Sequence, residues 1–333
     1  MTITMIVIKM HIQTHTDQKK LSKKVISSSI REVDYDEFNK SAIGQDALIK
    51  VDTLINKTLF KSSHSSKNQN LSLQAIQHHF SSTGHQVRAR LCLYACARLG
   101  ISQQDMLILA AATELLHNAS LIHDDIQDND DMRRGKPAIW KKYGQNIGIC
   151  AGDLLLSAAY GVLENYSHSK TLSKVIAKLN QKTRLAIEGQ SEDVTYKDNH
   201  NPSHIISIER YVQIAVQKSG ALLSLPLELA LIAAEKNEYI DTARKATEAF
   251  AVGYQIADDI EDIAKDAGSV TKSRSINITF VLNALGYENE KEQSIAMSYK
   301  YLNDAVYHAQ KLPAESGLLL VSLANTLKNK IKH

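Results

Sequence analysis

The apolar residues of this chain recur mainly at intervals of three and four positions, the spacing of one face of an α-helix. Helical periodicity begins near Tyr35 and continues with few interruptions. Helices are predicted at about 86–99, 102–123, 146–165, 170–195, 207–234, 240–265 and 290–330. The sequence contains no alternation of apolar and polar residues long enough for a strand, so we expect no sheet. The pattern therefore predicts an all-α protein.

Residues that start or stop helices lie between these segments. Gly100 occupies a position where glycine commonly ends a helix. Ser102, followed three residues later by Asp105, is a weak signal for the start of the next helix. The first 35 residues are polar and mixed and are expected to form a disordered tail. No linker-like stretch interrupts the remainder, so residues 36–333 are expected to form one large helical bundle around an apolar cavity.

Composition and charge narrow the class of protein. Hydrophobic residues make up 44% of the 333 positions and charged residues 23%, which is ordinary for a globular protein. The net charge of +3 gives no basic field for nucleic acid. No uncharged apolar run reaches about 18 residues, so no membrane span is predicted, and the N-terminus lacks the features of a signal peptide. Cys92, Cys96 and Cys150 show no metal-type pairing and are expected to be buried free thiols of a cytoplasmic protein.

Two aspartate clusters follow apolar helical runs. The first reads Asp-Asp-Ile-Gln-Asp and ends at Asp128, and the second reads Asp-Asp-Ile-Glu-Asp and ends at Asp262. Residues four apart lie on one helix face, so Asp124 points the same way as Asp128, and Asp258 the same way as Asp262. Like charges at this spacing destabilise a helix by about 0.2–0.5 kcal/mol per pair. The two clusters therefore favour a counter-charge, and a divalent metal is the natural candidate.

The residues near these clusters suit diphosphate chemistry. Mg²⁺ prefers oxygen ligands and commonly binds through one or two carboxylates plus substrate phosphates. Cations that would stabilise a departing diphosphate are also present: Arg133, Arg134, Lys136, Lys218 and Lys272. We find no nucleophile with a base, no phosphate-binding glycine loop and no nucleotide motif in the sequence. A single aspartate cluster is often only a solvated helix end, but the second copy favours a site where diphosphate leaves an apolar group.

Five motifs in order resemble those of the trans-polyprenyl diphosphate synthases, from about residue 40 to the C-terminus. They are His117 to Asp128 with Arg133-Arg134-Gly135-Lys136-Pro137, Ala151 to Leu155, Gly189-Gln190 with Asp193, Lys218-Ser219, and Gln255 to Asp262. The resemblance implies the all-α isoprenoid synthase fold and a homodimer. It also implies a head-to-tail prenyltransferase that condenses an allylic diphosphate with isopentenyl diphosphate.

The resemblance further implies a role for each matching residue. Three Mg²⁺ ions with bound diphosphate are expected on Asp124, Asp125, Asp128, Asp258, Asp259 and Asp262. The allylic diphosphate is expected on Arg133, Lys218 and Lys272, and isopentenyl diphosphate on His85, Arg88, His117 and Arg134. Ser219 and Gln255 would flank the reacting carbons. The resemblance thus places catalysis on Asp124, Asp128, Asp258, Lys218 and Gln255.

Two departures from the family pattern leave alternatives open. His85 replaces the lysine that binds isopentenyl diphosphate, and Gln86 replaces an arginine. Histidine is neutral or partly charged near pH 7, so this site is weakened. The lysine elements after the second cluster are also eroded, with Lys272 surviving. One alternative is a terpene synthase that ionises a prenyl diphosphate without isopentenyl addition. The other is a non-catalytic subunit of a heteromeric prenyl synthase.

The residues just before the first cluster bear on product length. In the family, bulky residues four and five positions before the first aspartate close the pocket for the growing chain. Here those positions are Ser120 and Ala119, and the helix from Ile101 to His123 contains no aromatic residue. An open pocket predicts a product of four or more isoprene units, although Tyr160 from another helix is an alternative floor.

Overall fold

A computed structural model describes residues 42–60, 70–82, 84–198, 206–266 and 277–331, and nearly all of them are helical. The helices are α1 (Ala42–Phe60), α2 (Leu71–Phe80), α3 (Val87–Arg98), α4 (Gln103–Gln127), α5 (Ile139–Tyr143), α6 (Gln145–Gly161), α7 (Ser169–Asp198), α8 (Ile208–Ala215), α9 (Ala221–Ala233), α10 (Ile240–Asp266), α11 (Ile278–Ala284), α12 (Glu290–Ala309) and α13 (Leu318–Ile331). The predicted all-α fold is confirmed. The predicted tail and Lys272 lie outside the described residues.

A short hairpin follows α4, and it makes the expectation of no sheet wrong at this point. Strands β1 (Met132–Arg133) and β2 (Lys136–Pro137) pair antiparallel. Arg134 and Gly135 between them have φ angles of 52° and 77°. Two positive φ angles match the two-residue turn preferred in hairpins. Strands of two residues are too short to show an alternating pattern, which is why the sequence did not reveal them.

The last predicted helix is two helices in the structure. A short 3-10 turn at Pro313–Glu315 separates α12 from α13. Gly317, the residue before α13, approaches the carbonyl of Ala309 so closely that a Cβ would overlap it. Proline interrupts a helix because it has no N–H to donate, and glycine disfavours one because of its conformational freedom. Pro313 and Gly317 therefore mark the break between the two helices. By contrast, the predicted start of α4 is confirmed, since the Ser102 side chain accepts a hydrogen bond from the Asp105 N–H at 3.1 Å.

Helices α4 and α9 form the centre of the bundle. Every residue of α9 is buried, and α4 is buried on most of its surface. Helix α4 packs against α3, α6 and α9, and α10 packs along α12. A helix that is apolar on all sides belongs in the interior of a protein. The carboxyl end of α4 carries the first aspartate cluster, so this packing holds the cluster inside the bundle.

Three helical stretches of the described chain are long and apolar enough to cross a membrane by length and composition alone. They are Gln103–Gln127, Gln145–Asn165 and Ile208–Ala233, and their most apolar windows are 83%, 44% and 78% buried within the fold. The sequence-based expectation of no membrane span stays a prediction.

The three cysteines are free thiols, as expected. Cys92 and Cys96 lie one turn apart on α3 and are buried. Cys150 on α6 is exposed, so the expectation of burial was wrong for this residue. The neighbouring Ile149 is also exposed, which shows that this part of α6 faces outward.

Candidate active site

The two aspartate clusters lie on a single cavity of about 170 Å³ between α4 and α10. Asp124 and Asp128 lie at the carboxyl end of α4, and Asp258 and Asp262 lie on α10. All four line the cavity. The two members of each pair therefore face the same way, as predicted, because both line the cavity.

The second aspartate of each cluster is bound by the protein itself. Asp125 accepts a hydrogen bond from Arg133 Nε at 2.7 Å and contacts Arg133 Nη2, and it does not line the cavity. Asp259 lines the cavity, yet its carboxylate accepts hydrogen bonds from Tyr211 Oη (2.7 Å), Gln255 Nε2 (2.9 Å) and the Ile278 N–H (2.8 Å). These two aspartates hold neighbouring elements in place, while the other four face the cavity.

The carboxylates are held where charge is unfavourable. Burial raises the pKa of Asp124, Asp125 and Asp259 to about 6 in each case. The Asp128 carboxylate raises the pKa of Asp124 further, whereas the Lys218 ammonium lowers it. A bound cation would relieve this cost.

No group of three or more ligand side chains within the described ranges is gathered closely enough to hold a metal ion by itself. Mg²⁺ usually takes one or two carboxylates and completes its octahedron with water and phosphate oxygens. Four carboxylates distributed over two facing helices fit that mode of binding.

A single π-helical turn, Val216–Gly220, joins α8 to α9 and carries Lys218 and Ser219 to the cavity. Lys218 Nζ donates to Asp193 Oδ2 at 2.6 Å. The turn packs against Gly189 of α7, where a Cβ would lie 2.6 Å from the backbone nitrogen of Lys218. Only glycine allows this approach. Such turns are frequent at functional sites, and no feature of the sequence predicted this one.

Two of the four residues expected to hold isopentenyl diphosphate line the cavity, namely Arg88 and His117. Burial lowers the pKa of His117 well below its usual value, so its ring is neutral. Burial also lowers the pKa of Arg88 to about 10, which leaves it charged at neutral pH. Arg88 Nε and Tyr254 Oη have no hydrogen-bond partner among the described residues. Two residues of the cavity wall therefore carry a donor that the protein itself does not use.

The other two expected residues, His85 and Arg134, do not line this cavity. The Arg134 guanidinium lies against Gly84, where a Cβ would be 2.5 Å from Nη2, and Arg134 Nη1 donates to the Ser82 carbonyl at 3.1 Å. Gln86 Nε2 donates to Asp52 Oδ1 of α1 at 2.6 Å. This hydrogen bond links the start of α3 to α1.

A second cavity of about 470 Å³ adjoins the first between α4, α6, α7 and α9. The two cavities share Ser120, Asp124, Lys218 and Leu222. Ala119 and Ser120 line the second cavity, as predicted, together with apolar side chains such as Leu116, Leu156 and Ile187. Tyr160 does not line it, so the alternative floor is not observed. A polar chamber therefore opens directly into an apolar one.

The profile of the polyprenyl synthetase family matches residues 69–311. The chain belongs to the polyprenyl synthetase family. It is 31% identical to a chloroplastic geranylgeranyl pyrophosphate synthase of Capsicum annuum over 231 residues. That match covers 66% of this chain and 62% of the relative, which is less than two thirds of its length. It is 29% identical to a short chain isoprenyl diphosphate synthase of Methanocaldococcus jannaschii, over 71% of this chain and 77% of that protein.

Solved structures show that this chain shares the fold of known proteins. A decaprenyl diphosphate synthase from Rhodobacter capsulatus superposes with a TM-score of 0.75 over 90% of this chain and all of that one, at 19% identity. A geranylgeranyl pyrophosphate synthetase from Geoglobus acetivorans gives a TM-score of 0.72 over 86% of this chain and 99% of that one, at 22% identity. The family and fold expected from the sequence motifs are confirmed.

Proposed function

We propose that this polyprenyl synthetase condenses an allylic diphosphate with isopentenyl diphosphate, head to tail, to a trans-polyprenyl diphosphate of four or more isoprene units. The observation that carries the proposal is the pair of adjoining cavities. A chamber with facing aspartate pairs suits a diphosphate, and the apolar cavity beside it suits a hydrocarbon chain. The family assignment and relatives named geranylgeranyl pyrophosphate synthase support the same reaction and product class.

Mg²⁺ would be held by Asp124 and Asp128 on one wall and by Asp258 and Asp262 on the other. When bound, it would neutralise charge on the departing diphosphate. Asp125 and Asp259 would act mainly through their protein partners, since Arg133 and the three donors described above already occupy them.

The chain's own residues account for the remaining requirements of the reaction. The allylic carbon–oxygen bond breaks and its electron pair leaves with the diphosphate, near the cations Lys218 and Arg133. The apolar cavity holds the hydrocarbon tail and excludes water from the allylic cation. The isopentenyl double bond then forms the new carbon–carbon bond, and a proton is lost to the departed diphosphate. Ser219 and Gln255 line the chamber where this step would occur.

The second diphosphate would be held mainly by arginines. Arg88 lines the chamber, and its Nε has no hydrogen-bond partner among the described residues. Arg134 would join it from its place beside Gly84, outside the main chamber. His117 would contribute a hydrogen bond without charge.

The test is product analysis of the purified chain with Mg²⁺, labelled isopentenyl diphosphate and each short allylic starter. We expect labelled prenyl diphosphates of four or more units. A hydrocarbon or alcohol formed from farnesyl diphosphate alone would favour the terpene synthase instead. That alternative has one observation behind it, the position of His85 and Arg134 outside the main cavity. If the chain turns over no allylic substrate, a non-catalytic subunit is favoured.

The homodimer and the cytoplasmic location expected from the sequence also belong to this proposal. Light scattering of the purified protein would measure its mass in solution, and a mass of one chain would contradict the dimer.

A further inference from the structure

Glu114 is a buried carboxylate to which the reaction above gives no role. It lies on α4, one turn before His117, and is 3% exposed. Its Oε1 accepts a hydrogen bond from Asn118 Nδ2 at 3.3 Å, and its Oε2 has no hydrogen-bond partner among the described residues. A buried charge is costly unless opposite charge offsets it. The cations that offset the charge of Glu114 therefore indicate its role.

Two arginines expected to bind isopentenyl diphosphate supply that opposite charge. Burial lowers the pKa of both Arg88 and Arg134, and in each case the Glu114 carboxylate is the strongest opposing influence. Arg134 and Glu114 line one small cavity of about 130 Å³, while Arg88 lines the main chamber. The Nε atoms of both arginines have no partner among the described residues. Glu114 thus lies within electrostatic reach of two guanidiniums, and the Nε donor of each is not used by the protein itself.

A row of hydrogen bonds fixes the Glu114 side chain. His79 of α2 is buried, and burial lowers its pKa to about 3, so its ring is neutral. Its Nε2 donates to Asn118 Oδ1 at 2.9 Å, because an amide oxygen can only accept. Asn118 Nδ2 in turn donates to the backbone carbonyl of Glu114 at 2.8 Å and to its carboxylate. Asn118 lines the same small cavity, so these hydrogen bonds fix the Glu114 side chain at the cavity wall.

We propose that Glu114 is a positioning residue for the second substrate, holding Arg88 and Arg134 close enough together to bind one diphosphate. Without it the two guanidiniums would repel each other. This role is more important here because His85 and Gln86 stand where the family pattern has a lysine and an arginine. Fewer cations are therefore left to bind the diphosphate of the second substrate. The proposal rests on the proposed function, since it concerns the isopentenyl site.

The test is steady-state kinetics of Glu114→Gln, which keeps the shape and the Asn118 contact but removes the charge. We expect the KM for isopentenyl diphosphate to rise about tenfold, the scale of one lost charge-assisted hydrogen bond. The KM for the allylic diphosphate should not change. The matched control is Glu228→Gln: Glu228 is also fully buried, but it pairs with Lys178 (2.8 Å) and Lys182 (2.6 Å) between α7 and α9. It should lower stability and leave the isopentenyl KM unchanged.

The proposal is overturned if Glu114→Gln leaves the isopentenyl KM unchanged, or if it raises the KM values of both substrates alike. Should Glu114→Gln fail to fold, Gly84→Ala decides, because its Cβ would displace the Arg134 guanidinium from its place beside Glu114. A rise in the isopentenyl KM alone supports positioning, and an unchanged value overturns it. If the wild-type chain incorporates no isopentenyl diphosphate, the proposed function fails and this inference with it. If the wild-type chain is active, only the role of Glu114 is in question.

Discussion

The two aspartate clusters share one sequence pattern but are anchored in different ways. In each, the first and third aspartates line the cavity and the second is bound by the protein. The second aspartate of the first cluster is bound by a cation, Arg133. Its counterpart in the second cluster is bound by three neutral donors, the Tyr211 hydroxyl, the Gln255 amide and the Ile278 N–H.

This difference sets how far each cluster depends on the rest of the chain. Asp125 and Arg133 are eight residues apart and join the end of α4 to the hairpin that follows it. Asp259 joins α10 to α8, 48 residues away, and to the start of α11. The first cluster is thus built from local contacts. The second requires three helices of the carboxyl-terminal half to be in place.

The largest effect on turnover is expected at the first aspartate of each cluster, where the two clusters are alike. Asp124→Ala and Asp258→Ala should each lower Mg²⁺-dependent turnover by about 10²–10³-fold or more, because each removes charge stabilisation of the departing diphosphate. Helix content by circular dichroism should be unchanged. Asp304→Ala, at an exposed position of α12, is the control and should keep full activity. Near-full activity of either cavity variant would refute the assigned metal role.

The second prediction separates the two anchors. Asp125→Asn removes the negative charge of a buried ion pair with Arg133, so we expect a loss of about 3 kcal/mol in the free energy of unfolding. Asp259→Asn disturbs neutral hydrogen bonds and should cost about 1–3 kcal/mol. Urea unfolding of both variants measures the difference. A larger loss for Asp259→Asn would contradict the distinction between the two anchors.

The third prediction concerns pH and applies to the metal-free protein. Burial raises the folded-state pKa of Asp124 and Asp259 from 3.8 to about 6. An acid with a raised folded-state pKa contributes stability that is fully present below its unfolded pKa and is lost as pH rises through the folded pKa. Mg²⁺ with inorganic diphosphate should therefore raise Tm by more at about pH 8 than at about pH 5. Asp124→Asn should reduce the difference between the Tm shifts at the two pH values. An unchanged difference would mean that other groups cause it.

The smallest effect on turnover is expected just before the first cluster. Ala119 and Ser120 line the apolar cavity, whereas Tyr254 and Gln255, which precede the second cluster, line only the metal chamber. Ser120→Phe should shorten the products with little change in rate, because the ring would occupy the apolar cavity. Chromatography of the dephosphorylated products measures this. Tyr160→Ala is the control and should leave product length unchanged, and a longer product from it would restore Tyr160 as the floor.

The sequence predicted those parts of the site that depend on helix geometry alone. Asp124 and Asp128 share a face because four residues separate them, and this holds for any straight helix. The opening beside Ala119 and Ser120 follows from their small size. Glu114 was within reach of the same reasoning, since it is an acidic residue in an apolar helical run.

Other parts of the site depend on contacts between distant segments, which no local pattern shows. The position of Arg134 depends on the space above Gly84, about fifty residues earlier in the chain. Asp259 depends on Tyr211, and a tyrosine carries no sign of the carboxylate that it will bind. The hairpin at Met132–Pro137 is too short for a strand pattern, although Gly135 was compatible with a turn.

The π-helical turn at Val216–Gly220 separates the helical phase of α8 from that of α9. One extra residue in a helix shifts everything after it by about 100° around the axis. Helix α9 can therefore keep all its residues in the core while Lys218, just before it, faces the cavity. A single-residue deletion within the turn would restore a regular α-helix and force either the core or the lysine out of register. Insertions and deletions here should thus be far less tolerated than substitutions.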